Sequence, residues 1–355
     1  MNAAEQGRDD RAWVEVDLAA VVANARSIAR VSGARLLPVV KADGYGLGAV
    51  PIARALEALD PWGYGVATAE EGAALRAAGI LRPILVLSPG RPALFGAFDA
   101  LRLTPALGDA DSIAAWTARG ERTFHVEIDT GMGRAGIRWS DVDALREVCD
   151  TPYFEGCYSH PHSAERDDGS AEAQLERFQG AVARLPRRPA LLHFANSAAA
   201  LRGRKFACDL VRPGIFLYGG LGDAHPVVRL RARVVSLRRV RRGESVSYGA
   251  RWSATRDTTV ATLGIGYADG VRRGLASEAR VLIHGRACPV AGTVTMDMMM
   301  VDAGDLPVAV GDVATLIGSD GASDISLHAW AAWSGTVTYE VLTSLGPRLP
   351  RVHTG

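Results

Sequence analysis

Short β-rich runs alternate with alanine-rich amphipathic stretches through the first two thirds of this chain, and few architectures accept that alternation. The runs cover residues 36–40, 63–67, 84–87, 101–104, 124–128, 154–159, 191–194 and 207–211. Parallel strands need a long crossover, usually a helix, so eight such runs predict an α/β fold built as a closed, TIM-like (β/α)8 barrel. A doubly wound open sheet is the alternative. Asp17, Ser140 and Ser170 each precede an amphipathic stretch and are expected to cap helices. After about Arg229 the texture changes to apolar-polar alternation broken by glycines, as in VVSLRRV, TVATLGIGYADG, ARVLIHG and DVATLIG. Alternation without long intervening helices predicts a mainly antiparallel β domain with short helical turns near 326–332. The expected division is a barrel over 12–230 and a β domain over 231–355, with an N-terminal strand at 13–16 that can join the latter.

The 40 basic and 39 acidic side chains nearly cancel over 355 residues, so no overall field points to nucleic acid or an anionic membrane. Small-molecule chemistry is the default. The opening MNAAEQGRDDR lacks the apolar core of a secretory signal, and no later stretch is long enough to span a bilayer, which predicts a cytoplasmic protein. Cys149, Cys157, Cys208 and Cys288 lack CxxC spacing and read as buried free thiols.

Polar residues gather after the strands, at the face where barrel active sites lie. Lys41 follows the first run, Asp129 and Arg134 the fifth, His160 the sixth, Asn196 and Ser197 the seventh, and Arg212 with Gly214 the eighth. Lys41 leaves an apolar run into a Gly-Tyr-Gly turn, where lost solvation lowers an amine's pKa and frees it to attack a carbonyl. The Asn-Ser and Arg-Pro-Gly turns supply hydroxyl and N–H donors where such barrels often bind phosphate. An amine beside a phosphate site implies a phosphorylated aldehyde.

At this point the chain resembles the alanine racemase family. The resemblance rests on ordered blocks along nearly the whole sequence: VVKADGYGLG, IDTGMGRAG, YSHPHSAE, HFANSAA, VRPGIFLYG, VSYGARW, GYADG, TVTMDMMMVD and YEVLTSLGPRLPRV. It implies pyridoxal 5'-phosphate as cofactor, held as a Schiff base on Lys41. Tyr45 and Ser197 are implied as phosphate contacts, with Asn196 beside them and Gly214 and Ile215 adding N–H groups. Arg134 faces the cofactor's phenolic oxygen, His160 packs by its ring and Arg212 meets the pyridine nitrogen. A guanidinium does not give up its proton and disfavours a pyridinium beside it, which weakens the cofactor as an electron sink and suits racemisation.

The resemblance further implies a homodimer with shared sites. Lys41 serves one face of the amino acid's Cα and Tyr267 of a second subunit the other, while Met296 and Asp297 help to place the substrate carboxylate. Two bases on opposite faces meet the need of a racemase. Alanine is the expected substrate, its D-form the product, and serine or another small to medium amino acid the alternative. A related pyridoxal-phosphate decarboxylase shares the lysine but does not need Tyr267. In a different class, His160, His162 and His193 suggest a metal-dependent barrel hydrolase. Without that set no metal is expected, and His193 reads as a core histidine with a satisfied ring nitrogen.

Three departures from the family pattern stand out. Glu127 occupies the place of a lysine that many members carbamylate, and is expected to hold Arg134 directly or through water. Thr295 replaces a common cysteine. Gly346 and Pro347 stand where some members place an entrance tyrosine.

Overall fold

The computed structural model of the chain describes residues 10–275 and 277–355. The first nine residues of the polar opening therefore lie outside the described part. The chain divides into two compact units, one of Val22–Gly44 with Ala49–Leu217 and one that includes Tyr45–Gly48 and Tyr218–Gly355.

The first unit is a closed parallel barrel. Its strands are Arg35–Leu36, Tyr64–Val66, Ile84–Pro89, Thr104–Leu107, Phe124–Asp129, Phe154–Tyr158, Leu191–His193 and Leu210–Val211. Strands two to seven pair in order, and the eighth pairs with the first. Parallel bridges from Val39 to Gly65 and from Asn196 to Arg212 complete the ring. Closure settles the choice between barrel and open sheet.

Three strands lie away from their predicted positions; the first, expected over 36–40, is Arg35–Leu36 and continues only as an isolated bridge at Val39. The fourth begins at Thr104 rather than at 101, because the helix Phe95–Ala100 ends through Leu101 and turns on Arg102, whose φ is 50°. The eighth is only Leu210–Val211, since Arg204–Ala207 is helical. Helix starts also differ from expectation in two places. Asp17 does cap, its carboxylate accepting from the Ala20 N–H at 2.9 Å. The stretch after Ser140 is only a 3-10 turn at Val142–Leu145, and the Ser140 hydroxyl donates to Asp141 instead. Ser170 lies inside the helix Ser170–Arg184, and Asp168 accepts its N–H at 3.0 Å.

A buried apolar cluster of Leu37, Trp62, Leu85, Leu191 and Leu210 draws on strands or strand approaches from around the barrel. The strands then turn polar. Along FHVEID every second residue is His125, Glu127 or Asp129, and the first two are buried. A barrel interior is ordinarily filled by branched apolar side chains, so this row marks where the fold gives up packing for chemistry.

The second unit is built on the long strand Val228–Val240, in which Val228, Leu230, Ala232 and Val234 are buried and alternate with Arg229, Arg231 and Arg233. It pairs antiparallel with Ala12–Asp17, Thr258–Leu263 and Val313–Asp320. The N-terminal strand thus belongs to this sheet, where it also runs parallel to Arg351–Thr354. Helix Leu327–Trp333 starts where the sequence predicts, with the Ser326 hydroxyl accepting from the Ala329 N–H. Among the described residues no helix is long and apolar enough to cross a membrane. Cys149, Cys157 and Cys288 are buried free thiols and Cys208 is partly so.

Candidate active site

Lys41 opens a turn of unusual hand. The backbone φ is 52° at Ala42, 51° at Asp43, 63° at Gly44, 57° at Tyr45 and 83° at Gly46. Each non-glycine residue in that left-handed region costs roughly 1–2 kcal/mol, so the surroundings must hold the turn in place. They do so with carboxylates. Glu71 accepts the N–H of Ala42 at 2.7 Å with one oxygen and that of Ala67 at 2.6 Å with the other, and Asp43 accepts from Ala49 at 2.8 Å. Burial lowers the pKa of the Lys41 amine and the charge of Arg134 lowers it further, while Glu71 pulls the other way. The chain has one other lysine, Lys205, which is exposed and pairs with Glu172 at 3.3 Å. Glu71 was missed in the sequence, although Thr68 three residues before it is a capping-box signature.

The loop after the fifth strand is held from within. Asp129 accepts the N–H groups of Gly131 at 2.9 Å and Gly133 at 3.1 Å, just ahead of the exposed Arg134. Gln174 ties this loop to the next one, donating to Thr130 and to the His160 carbonyl and accepting from the His162 N–H. Gly136 must be glycine, because its φ is 90° and a Cβ there would sit 2.6 Å from the Glu127 carbonyl oxygen.

Glu127 takes a partner other than the one expected. Its carboxylate accepts a hydrogen bond from Tyr158 Oη at 3.1 Å, whereas Arg134 acts on it only through charge. Burial raises its pKa, and the Tyr158 bond and the two arginine charges only partly offset that. A carboxylate with a raised folded pKa weakens the folded state as pH climbs from the unfolded value through the folded one. Glu127→Gln is therefore expected to raise the melting temperature at neutral pH while weakening cofactor binding about tenfold, or about 1.4 kcal/mol. Thermal melts with a cofactor titration check both signs, and unchanged affinity would remove Glu127 from the site.

Arg212 is buried at the centre of this mouth. Nη1 donates to the His193 carbonyl at 2.8 Å and lies 3.0 Å from His193 Nδ1, while Nη2 donates to the carbonyls of Ser159 at 2.7 Å and Phe194 at 3.1 Å. Its guanidinium carbon stands 5.0 Å from the centre of the Tyr158 ring. Burial lowers its pKa to about 10, which still leaves it charged at neutral pH. His160 feels burial and then the charges of Arg212, Arg134 and Lys41, which bring its pKa down to about 3 and keep the ring neutral. The three histidines proposed for a metal do not assemble. His193 has both ring nitrogens engaged, by His125 and Arg212, and His162 is exposed beside Ser163. Among the described residues no group of three His, Cys, Asp or Glu side chains is placed to hold a metal.

Ser197 begins the short helix Ser197–Leu201, which Asn196 caps by accepting from the Ala199 N–H at 3.0 Å. The Ser197 oxygen accepts from the N–H of Gly214 at 2.9 Å and of Phe216 at 3.4 Å. A hydroxyl has two lone pairs and one hydrogen, so its hydrogen remains to donate, as an anionic oxygen requires. The Gly214 N–H, expected to face a phosphate, is spent on Ser197, its nearest acceptor; Ile215 is buried beside it.

The remaining predicted residues lie in the second unit. Tyr45 is buried there, its ring 4.6 Å from that of Tyr218 and 6.2 Å from that of Tyr339, and burial pushes its phenol pKa well up. Tyr267 and Met296 are 40% and 52% exposed. Their loops are zipped by backbone bonds from Tyr267 N–H to the Thr295 carbonyl and from Ala268 N–H to that of Met296. The Thr295 hydroxyl closes the Met296-Asp297 turn by donating to the Met298 carbonyl at 2.9 Å.

Beneath Tyr267, Asp269 is fully buried and binds Arg11, Arg348 and the Gly266 N–H, and Arg348 reaches on to Asp297 at 2.9 Å. Burial alone would raise the Asp269 pKa, but Arg11, the Gly266 N–H and Arg348 outweigh it and hold the carboxyl below its usual range. Its stabilisation is present above the unfolded pKa and is lost as pH falls through the lower folded one. Asp269→Asn is expected to cost about 1–3 kcal/mol, less than a wholly buried pair because both arginines are partly exposed. Urea melts at pH 7 and at about pH 2.5, below the ordinary aspartate value, test this, with the gap between variant and parent narrowing in acid.

Fold and site together define a class: a parallel α/β barrel with a part-buried lysine at its mouth, joined to a mainly antiparallel β domain. The family profiles described as alanine racemase N-terminal domain and alanine racemase C-terminal domain match residues 16–222 and 227–353. The alanine racemase of Symbiobacterium thermophilum is 42% identical over 97% of this chain and 97% of its own length, and that of Deinococcus radiodurans 40% over 96% and 98%. The crystal structure of alanine racemase from E. faecalis is 31% identical with a TM-score of 0.91, covering 98% of this chain and 99% of that one. That from Bartonella henselae, with covalently bound pyridoxal phosphate, is 31% identical with a TM-score of 0.89, covering 97% and 100%. The chain belongs to the alanine racemase family.

Proposed function

We propose that the protein is a pyridoxal-phosphate-dependent alanine racemase that interconverts L- and D-alanine. The observation that carries this is the Lys41 amine, its pKa lowered by burial and by Arg134 in the same electrostatic neighbourhood as the fixed Arg212 cation. The donor set fits the cofactor. Ser197 has a hydrogen left for a phosphate oxygen, and the Nη hydrogens of Arg212 are already spent on protein acceptors, so its Nε–H remains for a ring nitrogen. Asn196 and the Ile215 N–H complete the proposed phosphate end, the Gly214 N–H being spent on Ser197, while Arg134 faces the phenolic oxygen and His160 stands by the ring. When bound, pyridoxal phosphate supplies an aldehyde for amine exchange and an aromatic ring that draws electron density from the Cα–H bond.

The protein's own groups then divide the proton work. Lys41 Nζ takes or returns the proton on one face of Cα, helped by the lowered pKa that leaves more of it neutral. Tyr267 Oη, from a second copy of the chain, serves the other, and its exposure in a single chain is what a residue reserved for a partner requires. Met296 and Asp297, on the loop zipped to Tyr267, place the substrate carboxylate with Arg134. Arg212 keeps its proton throughout and so offers the ring no acid.

Incubating the purified chain and pyridoxal phosphate with L-alanine and, separately, L-serine, followed by chiral analysis, tests the proposal. Alanine is expected to reach equal amounts of both enantiomers, with serine slower. Faster turnover of serine would reassign the substrate, and no racemisation of either would overturn the reading.

A further inference from the structure

Inside the barrel a row of titratable side chains runs toward Arg212. Glu155 Oε2 lies 3.3 Å from His125 Nε2, His125 Nδ1 lies 2.8 Å from His193 Nε2, and His193 Nδ1 lies 3.0 Å from Arg212 Nη1. Both histidines are fully buried, and Glu155 at the end of the row is partly exposed. The backbone is shaped to make this row. Pairing of the fifth and sixth strands slips by one residue between Phe124 and His125, so that Glu155 is the extra residue of a bulge. Bulges re-aim side chains, and this one brings Glu155 to the ring of His125. The next residue is Gly156, where a Cβ would lie 2.3 Å from His125 Cε1 and 2.4 Å from Nδ1. The imidazole occupies the space that any larger residue would need.

The row has only one consistent direction. Arginine has donors and no acceptor, so His193 Nδ1 must offer its lone pair. The hydrogen of that neutral ring is then on Nε2 and points at His125 Nδ1, which must also be a lone pair. The hydrogen of His125 falls on Nε2 and points at the Glu155 carboxylate. The reverse order would set an N–H of His193 against an N–H of Arg212 at 3.0 Å. Glu127 acts on Arg212 through charge, and the line is a hydrogen-bonded route by which a second anion, Glu155, reaches this buried cation. Bonds in such a chain polarise one another.

We propose that Glu155, His125 and His193 form a one-way hydrogen-bond line that fixes the direction of the Arg212 guanidinium, making Glu155 and His125 positioning residues for the racemase site. This deepens the function proposed above and rests on it for its effect on turnover. With the line intact, both Nη1 hydrogens are committed to His193 and the guanidinium cannot swing. With Glu155 removed, the His125 Nε2–H loses its acceptor and His125 can adopt the other tautomer, which sets an N–H on its Nδ1 against the N–H of His193 Nε2 and breaks the line at its middle.

Two measurements test it. Ring-nitrogen NMR of the histidine-labelled holoenzyme at pH 7 is expected to show both His125 and His193 with hydrogen on Nε2; hydrogen on Nδ1 of either ring would overturn the proposal, whatever the activity. In the holoenzyme, Glu155→Leu is expected to lower kcat for alanine about 10-fold to 100-fold, as loss of an outer-shell partner does, with KM within about threefold. Glu155→Gln, whose amide oxygen still accepts from His125, is expected to restore most of the loss. Equal kcat for leucine, glutamine and parent forms, or a leucine defect that glutamine does not relieve, would count against the line. Absent racemisation with the NMR pattern in place would sink the activity reading and leave the line standing.

Discussion

Lys41→Ala is expected to lower alanine racemisation by roughly 10³–10⁶, the scale on which loss of a nucleophile that works as part of a unit is felt. The half-buried amine is the one side-chain amine among the groups gathered at the barrel mouth, and burial with the charge of Arg134 lowers its pKa. Borohydride should no longer fix pyridoxal phosphate to the chain, while the hydroxyl of Ser197 and the cation of Arg212 still retain it non-covalently. Steady-state assays beside mass spectrometry of borohydride-treated protein read both effects. Activity within tenfold of the parent would place the reactive amine elsewhere.

Tyr267→Phe is expected to reduce kcat by about 10²–10⁴ with little change in KM, as removal of one acid-base group does. The fold should tolerate it, because the side chain is 40% exposed and the loop is held by its backbone bonds and by Asp269 beneath. Deuterium exchange separates the two faces of Cα. In heavy water the parent labels both enantiomers of alanine, whereas the variant keeps exchange on the face served by Lys41 and loses interconversion. Parental rates of interconversion would remove the phenol from the mechanism.

The barrel was legible because eight β-rich runs separated by helical stretches leave little else to build, and the mouth was legible because polar residues follow those runs. What escaped has physical reasons. The fourth strand starts three residues later than predicted because Arg102 adopts a left-handed turn that its side chain does not advertise. Ser140 reads as a cap in sequence, but the following segment makes a single 3-10 turn and gives it no helix to cap. The partner of Glu127 depended on register, which sets Glu127 opposite Tyr158 and not beside Arg134. His125 and Gly156 carried a signal that went unread: a polar residue at every second position of FHVEID, with glycine opposite the first of them, is a strand that has reserved interior space.

All but two of the 40 basic side chains are arginine. An aldehyde cofactor condenses with accessible amines indiscriminately, whereas a guanidinium stays protonated at neutral pH and does not compete. With Lys41 sunk in the barrel and Lys205, 61% exposed at its side chain, as the other lysine, the molecular surface offers almost no decoy anchorage. Cofactor loading is thus simple to read: among the lysines only Lys205 competes, and a Lys205→Arg exchange leaves Lys41 as the sole lysine amine.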